Sequence, residues 1–183
     1  MRMETATAWV DTSAMEPDLN ELMTLLPLRL GQELARRGKR LAVAESCTGG
    51  WIAKVLTDLS GSSAWFDRGY VTYSNEAKQE MLGVDGEIIR ARGAVSEETV
   101  LAMASGVLNH CRADLSVAVS GIAGPSGGSP EKPVGTVWLA WADRNGRLTA
   151  RREQFSGDRE SIRAQAVVAA LQGLFDLLPV EAP

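Results

Sequence analysis

Helix-like and strand-like hydrophobic patterns alternate along this chain of 183 residues, and near the C-terminus the alternation gives way to consecutive strands. That order admits few folds. Leu19, Leu22, Met23, Leu26, Leu30 and Leu34 recur at helical spacing. They predict a helix over about 18–37, kinked or split at Pro27 and capped by Gly38. Residues 40–45 read as a short buried strand, 46–50 as a turn and 51–59 as a helix. A strand at 66–74, helices at 75–82 and 86–91, and a longer helix capped by Ser96 follow. Leu115, Val117 and Val119 alternate in a strand over 114–120. Residues 121–133 are too rich in Gly and Pro for regular structure. Strands at 134–142 and 148–155 flank Asn145-Gly146, a strong hairpin signal. A last helix covers 158–178, stopped by Pro179. Helices interleaved with strands, plus one hairpin, predict an α/β fold: a three-layer α/β/α sandwich with a mixed sheet. Residues 1–16 are expected to form a poorly ordered arm before a single domain over 17–179.

Composition narrows the chemistry. The net charge is -4 and the pI about 5.1, which argues against nucleic acid as the main partner. Cys47 and Cys111 lie far apart and form neither a disulfide framework nor a zinc motif. His110 is the single histidine, so any Ser-His-Asp triad would have to use it. The N-terminus lacks the pattern of a signal peptide, and no apolar run reaches the length of a membrane span. The expected address is the cytoplasm, with no membrane partner.

Four segments lie where a strand gives way to a helix or loop, the edge at which open α/β sheets bind ligands. In Ala44-Glu45-Ser46-Cys47-Thr48-Gly49-Gly50, Ser46 would point into the crevice. The amides opening the next helix would suit an oxyanion or a phosphate. The plainer reading is a capped helix with a glycine turn. In Tyr73-Ser74-Asn75-Glu76-Ala77-Lys78, the lysine sits in the first helical turn, where the dipole favours a neutral amine. A neutral Lys78 could take a proton from Ser46, with Tyr73 as relay or oxyanion donor. The plainer reading is a solvated lysine and a sheet tyrosine. The segment Ser120-Gly121-Ile122-Ala123-Gly124-Pro125-Ser126-Gly127-Gly128 could wrap a ligand in backbone amides, while the plainer reading is a long connection. In Phe155-Ser156-Gly157-Asp158-Arg159, the arginine could grip a phosphate, while Asp158 reads as a helix cap. A Cys47–His110 dyad is the rival, but no pattern brings those residues together. The tryptophans read as core or interface rather than a base-stacking platform.

Together with Gly61-Ser62-Ser63, Gly93-Ala94-Val95-Ser96 and Lys132-Pro133-Val134-Gly135-Thr136-Val137, these segments resemble the CinA C-terminal domain family. The family includes the nicotinamide-nucleotide amidases, and the resemblance runs from about residue 18 to 176, nearly the whole chain. It implies a three-layer α/β/α fold and metal-free, cofactor-free hydrolysis of nicotinamide mononucleotide to nicotinate mononucleotide and ammonia. It places the catalytic set on Ser46, Tyr73 and Lys78. Thr48, Gly49, Gly50, Ser120, Gly121, Gly124 and Arg159 are the expected substrate-binding positions. Where Ser120 stands, other members often carry Thr, which keeps the hydroxyl. Family members commonly form homodimers, and the same is expected here. Two alternatives remain: a module that binds a nucleotide without turning it over, and a serine amidohydrolase of another carboxamide.

Overall fold

The computed structural model describes residues 18–178. The expected arm over 1–16 and the stop at Pro179 lie outside them. Helix α1 (Leu19–Arg36) leads into strand β1 (Leu41–Glu45), helix α2 (Trp51–Thr57) and strand β2 (Phe66–Val71). Three helices follow: α3 (Asn75–Leu82), α4 (Gly86–Arg92) and α5 (Glu97–Asn109). Strands β3 (Leu115–Gly121), β4 (Thr136–Asp143) and β5 (Leu148–Gln154) precede the last helix, α6 (Arg159–Phe175).

The five strands of the described residues form one sheet in the order β2-β1-β3-β4-β5. Strands β2, β1 and β3 run parallel, whereas β4 and β5 are antiparallel to their neighbours. Leu41, Val43, Val117, Leu139 and Trp141 pack on one face with Leu30 and Leu34 of α1, Ile52 of α2 and Leu171 of α6. Ala42, Ala44, Ala118 and Ala140 face the other side, against Leu82 of α3 and Val100, Met103 and Val107 of α5. This is the expected mixed sheet between two helical layers. The run of alanines lets α5 lie close to the sheet, and its large side chains fill the interface instead.

Sequence and structure part at Pro27. The proline is buried inside a single helix of 18 residues, and the helix is not split there. Its fixed φ suits a helix, and it removes only one ladder hydrogen bond. Packing of Pro27, Leu30, Gly31 and Leu34 into the core holds the turns on either side together. Strand β2 also ends earlier than its apolar pattern suggests. Ser74 caps α3 by accepting from the Ala77 amide, so the chain turns after Val71.

The topology fixes where a ligand can sit. From β1 the chain passes through α2 to β2 on one side. It returns through α3, α4 and α5 to β3 on the other side of β1. Strand β1 is therefore the switch point, and the crevice opens at its carboxyl end.

Candidate active site

Side chains alternate across a strand, and this parity sorts the residues at the end of β1. Val43 faces α1, α2 and α6, so Glu45 does too; Ala44 faces α3 and α5, so Ser46 does too. The ladder continues past the strand: the Ser46 amide donates to the Val119 carbonyl at 3.1 Å and the Thr72 amide to the Glu45 carbonyl at 2.8 Å. With Glu45 opposite Val71 and Val119, the next row across the sheet is Thr72, Ser46 and Ser120. Three hydroxyl residues thus stand side by side beneath the start of α3.

Lys78 reaches down from α3 into this row. Its side chain is buried, and Nζ lies 3.1 Å from Ser46 Oγ, 2.8 Å from the Thr72 carbonyl and 3.4 Å from the Ser74 carbonyl. Burial lowers the lysine's proton affinity from its ordinary value. The two carbonyls can take both protons of a neutral amine, which leaves its lone pair for Ser46. In that state Ser46 donates its hydroxyl proton to Lys78. The solvated surface lysine of the plainer reading does not describe this residue.

Glu45, on the opposite face, is buried and accepts from the amides of Gly50, Ile52 and Ala53 at 3.0, 3.0 and 2.8 Å. This corrects one expectation. The amides opening α2 were expected to face an oxyanion or phosphate, but the chain's own carboxylate already holds them. The Gly49 amide donates to the Ser46 carbonyl, and that of Trp51 to the Thr48 carbonyl. Gly49 and Gly50 have φ of 62° and 95°, a left-handed turn that favours glycine and bends the chain back onto Glu45. Thr48 is fully buried, and its hydroxyl has no hydrogen-bond partner among the described residues.

The same turn is gripped from outside by Arg163 of α6. Its guanidinium donates to the carbonyls of Cys47 and Thr48 at 3.0 and 2.8 Å and lies 5.2 Å over the Trp51 ring. No sequence motif marks a role for Glu45 or Arg163. Arg163 stands four residues after Arg159 on one helix, a spacing that places both on one face and could have drawn attention to it.

Arg159 does not stand free. It donates to the Gly124 carbonyl at 2.8 Å and to the Tyr73 hydroxyl at 3.0 Å, linking the loop after β3 to the segment after β2. Tyr73 remains 60% exposed. Asp158 caps α6 by accepting from the Ser161 amide at 2.8 Å, the role read for it in the sequence. Gly49, Gly50, Trp51, Lys54, Arg159, Glu160 and Arg163 line an open cleft of about 510 Å³. Three cations and one carboxylate give that cleft a positive balance. Ser120 Oγ donates to the Ala94 carbonyl at 2.7 Å and ties β3 to the segment before α5. Gly121 and Gly124 follow at the same edge. A side chain at Gly121 would meet the Thr136 carbonyl and Val137, so the two backbones approach closely there.

The rival dyad is not assembled. His110 lies at the end of α5, near the start of β3, whereas Cys47 follows the carboxyl end of β1. The two sit at opposite ends of neighbouring parallel strands. Burial also pushes the Cys47 thiol up to about 12, far from a thiolate at neutral pH. Among the described residues no group of three or more His, Cys, Asp or Glu side chains is placed to hold a metal ion, and no helix is long and apolar enough to cross a membrane.

Comparison with known proteins follows the same segments. The model of the CinA C-terminal domain matches residues 24–178. Over 156 residues, 85% of this chain, the sequence is 58% identical to 94% of the nicotinamide-nucleotide amidohydrolase PncC of Escherichia coli strain K12. It is 54% identical over 155 residues to 96% of the protein of that name from Pseudomonas putida. The competence/damage inducible protein CihA from Agrobacterium tumefaciens has a similar fold. Its TM-score is 0.84 at 45% identity, over 90% of this chain and 98% of that one.

Proposed function

Because the chain belongs to the CinA C-terminal domain family, we propose that it is an amidohydrolase that converts nicotinamide mononucleotide to nicotinate mononucleotide and ammonia through an acyl-enzyme on Ser46. The observation that carries the mechanism is the buried contact of 3.1 Å between Lys78 Nζ and Ser46 Oγ. Neutral Lys78 takes the Ser46 proton as Oγ attacks the carboxamide carbon. The tetrahedral intermediate collapses, Lys78 returns the proton to the leaving nitrogen, and ammonia departs. Water then cleaves the ester. No metal or cofactor enters this scheme.

Tyr73, whose hydroxyl accepts from Arg159 at the mouth of the crevice, relays the proton or donates to the oxyanion, and the remaining groups position and bind. The cleft lined by Lys54, Arg159 and Arg163 suits the nucleotide phosphate. The pyridinium ring of the substrate withdraws electrons from its carboxamide, and its positive charge further disfavours a charged Lys78. Backbone amides of the turn after Ser46 serve the oxyanion, other than those of Gly50, Ile52 and Ala53, which Glu45 holds. The acidic chain is read as a cytoplasmic homodimer acting on a small nucleotide rather than on nucleic acid.

Ammonia release from nicotinamide mononucleotide by the purified protein, with Ser46→Ala beside it, tests the proposal. Release by the parent, lost in the variant, supports it. Ligand binding without release by the parent would favour a nucleotide-binding module. Release from simple amides without regard to phosphate would favour a different carboxamide substrate.

A further inference from the structure

Thr72 is fully buried, and its hydroxyl has no hydrogen-bond partner among the described residues. Only one other buried side-chain polar atom among them shares that condition, the hydroxyl of Thr48. Buried hydroxyls are ordinarily satisfied, because desolvating one without a partner costs stability. Both exceptions flank the nucleophile in sequence or across the sheet, and they differ in kind. Thr48 belongs to the glycine turn. Thr72 stands in the hydroxyl row itself, beside Ser46 and opposite Ser120.

Parity gives the direction of the Thr72 side chain. Tyr70 packs with the alanines on the α5 face, so Thr72, two residues on, points to the same side as Ser46 and Lys78. The Thr72 carbonyl receives Lys78 Nζ at 2.8 Å, which places the amine against the same residue that carries the unpartnered hydroxyl. Ser120 differs from it: that hydroxyl already donates to Ala94. Of the row's two flanking hydroxyls, Thr72 alone is uncommitted. Register sets Thr72 beside Ser46 and its carbonyl receives Lys78, so a hydroxyl, an amine and the serine oxygen share one neighbourhood, the kinds of polar partner an internal water uses.

We propose that Thr72 Oγ1 holds the water that hydrolyses the acyl-enzyme, at the corner between Ser46 and Lys78. This rests on the serine acyl-enzyme reading above. Neutral Lys78 takes a proton from that water as its oxygen bonds to the acyl carbon. The bond between the acyl carbon and Ser46 Oγ then breaks, and the ammonium of Lys78 returns its proton to Ser46. The products are the free carboxylic acid and the starting enzyme, with one water consumed. In the first half-reaction the same lysine serves the serine; in the second it serves the water. The Thr72 hydroxyl is needed only in the second.

Thr72→Val keeps the shape and removes the hydroxyl; Thr72→Ser restores the hydroxyl on a smaller side chain. With nicotinamide mononucleotide, Thr72→Val should release ammonia in a burst of about one equivalent per site, then turn over at least roughly tenfold more slowly than the parent. Intact-protein mass after acid quench should show the acyl adduct accumulating in that variant. Thr72→Ser should recover most of the lost rate without accumulation. Turnover by Thr72→Val within twofold of the parent would overturn the proposal, as would slow turnover with no burst and no adduct. If Thr72→Val does not fold, Thr72→Ala takes its place in the same assay. A high-resolution crystal structure of the unliganded parent separates this proposal from the substrate assignment. A water bonded to Thr72 Oγ1 and to Lys78 or Ser46 supports the site even if nicotinamide mononucleotide is not the substrate, and a dry corner overturns it.

Discussion

Lys78 is held at the start of a helix, out of water and against two carbonyls, and each condition bears on its charge differently. The carbonyls welcome an ammonium, while burial and the positive helix end oppose one. The net direction is downward from 10.5, and the first cause is burial. A base that must be neutral gains activity as pH rises through its own pKa. The kcat/KM profile should therefore climb with pH and level off, with its inflection below 10.5. The kcat profile should inflect at lower pH still, because bound pyridinium adds positive charge near the amine. A profile flat from pH 6 upward in kcat/KM, with activity intact in Lys78→Arg, would remove the lysine from the mechanism. Arg keeps the charge but cannot act as a base, so Lys78→Arg should lose at least roughly a hundredfold in kcat.

At the scale of elements, α2 is only seven residues long, and the residue before it, Gly50, is left-handed and offers no side-chain cap. Its opening amides depend instead on a carboxylate from the preceding strand. Glu45→Ala should destabilise the protein by about 2 kcal/mol in urea unfolding, as expected for losing a helix cap with charged hydrogen bonds. Because the same turn carries Ser46, kcat should fall as well; an unchanged kcat would mean that the turn holds its shape without Glu45. Most elements could be read from the chain. The period of α5, the alternation in β3 and the Asn145-Gly146 turn each carry a local signal close to where the element lies. The carboxylate at α2 carries none. A glutamate at the end of a strand looks the same whether it meets solvent or folds back on the amides of Gly50, Ile52 and Ala53. Arg163 and Thr72 were silent for the same reason: their roles come from register and from contacts spanning much of the chain. Pro27 misled in the other direction, since a local rule about kinks took no account of the core that α1 packs against.

Across the whole molecule, the two halves of the sheet do different work. The parallel half delivers Ser46, Thr72 and Ser120 to one edge, while the antiparallel half braces it. Trp141 of β4 donates its indole N–H to the Ala170 carbonyl of α6 at 2.9 Å, and Gly173 lies hard against the same ring. That contact anchors the C-terminal part of α6, the helix from whose other end Arg159 and Arg163 reach the candidate site. Strand β2, by contrast, is the edge strand among the described residues and pairs there with β1 alone. Lys78 is tied to Ser46 through the segment that follows it. If this strand frays, lysine and serine separate while the remaining sheet and its helices stay packed. In a urea titration, ammonia release should therefore disappear at a lower concentration than the far-ultraviolet helix signal; coincident midpoints would show that the edge strand unfolds only with the rest. An assay of turnover is, for this protein, also a gauge of whether one strand is still in place, and enzyme that looks folded by its helices can already have lost its chemistry.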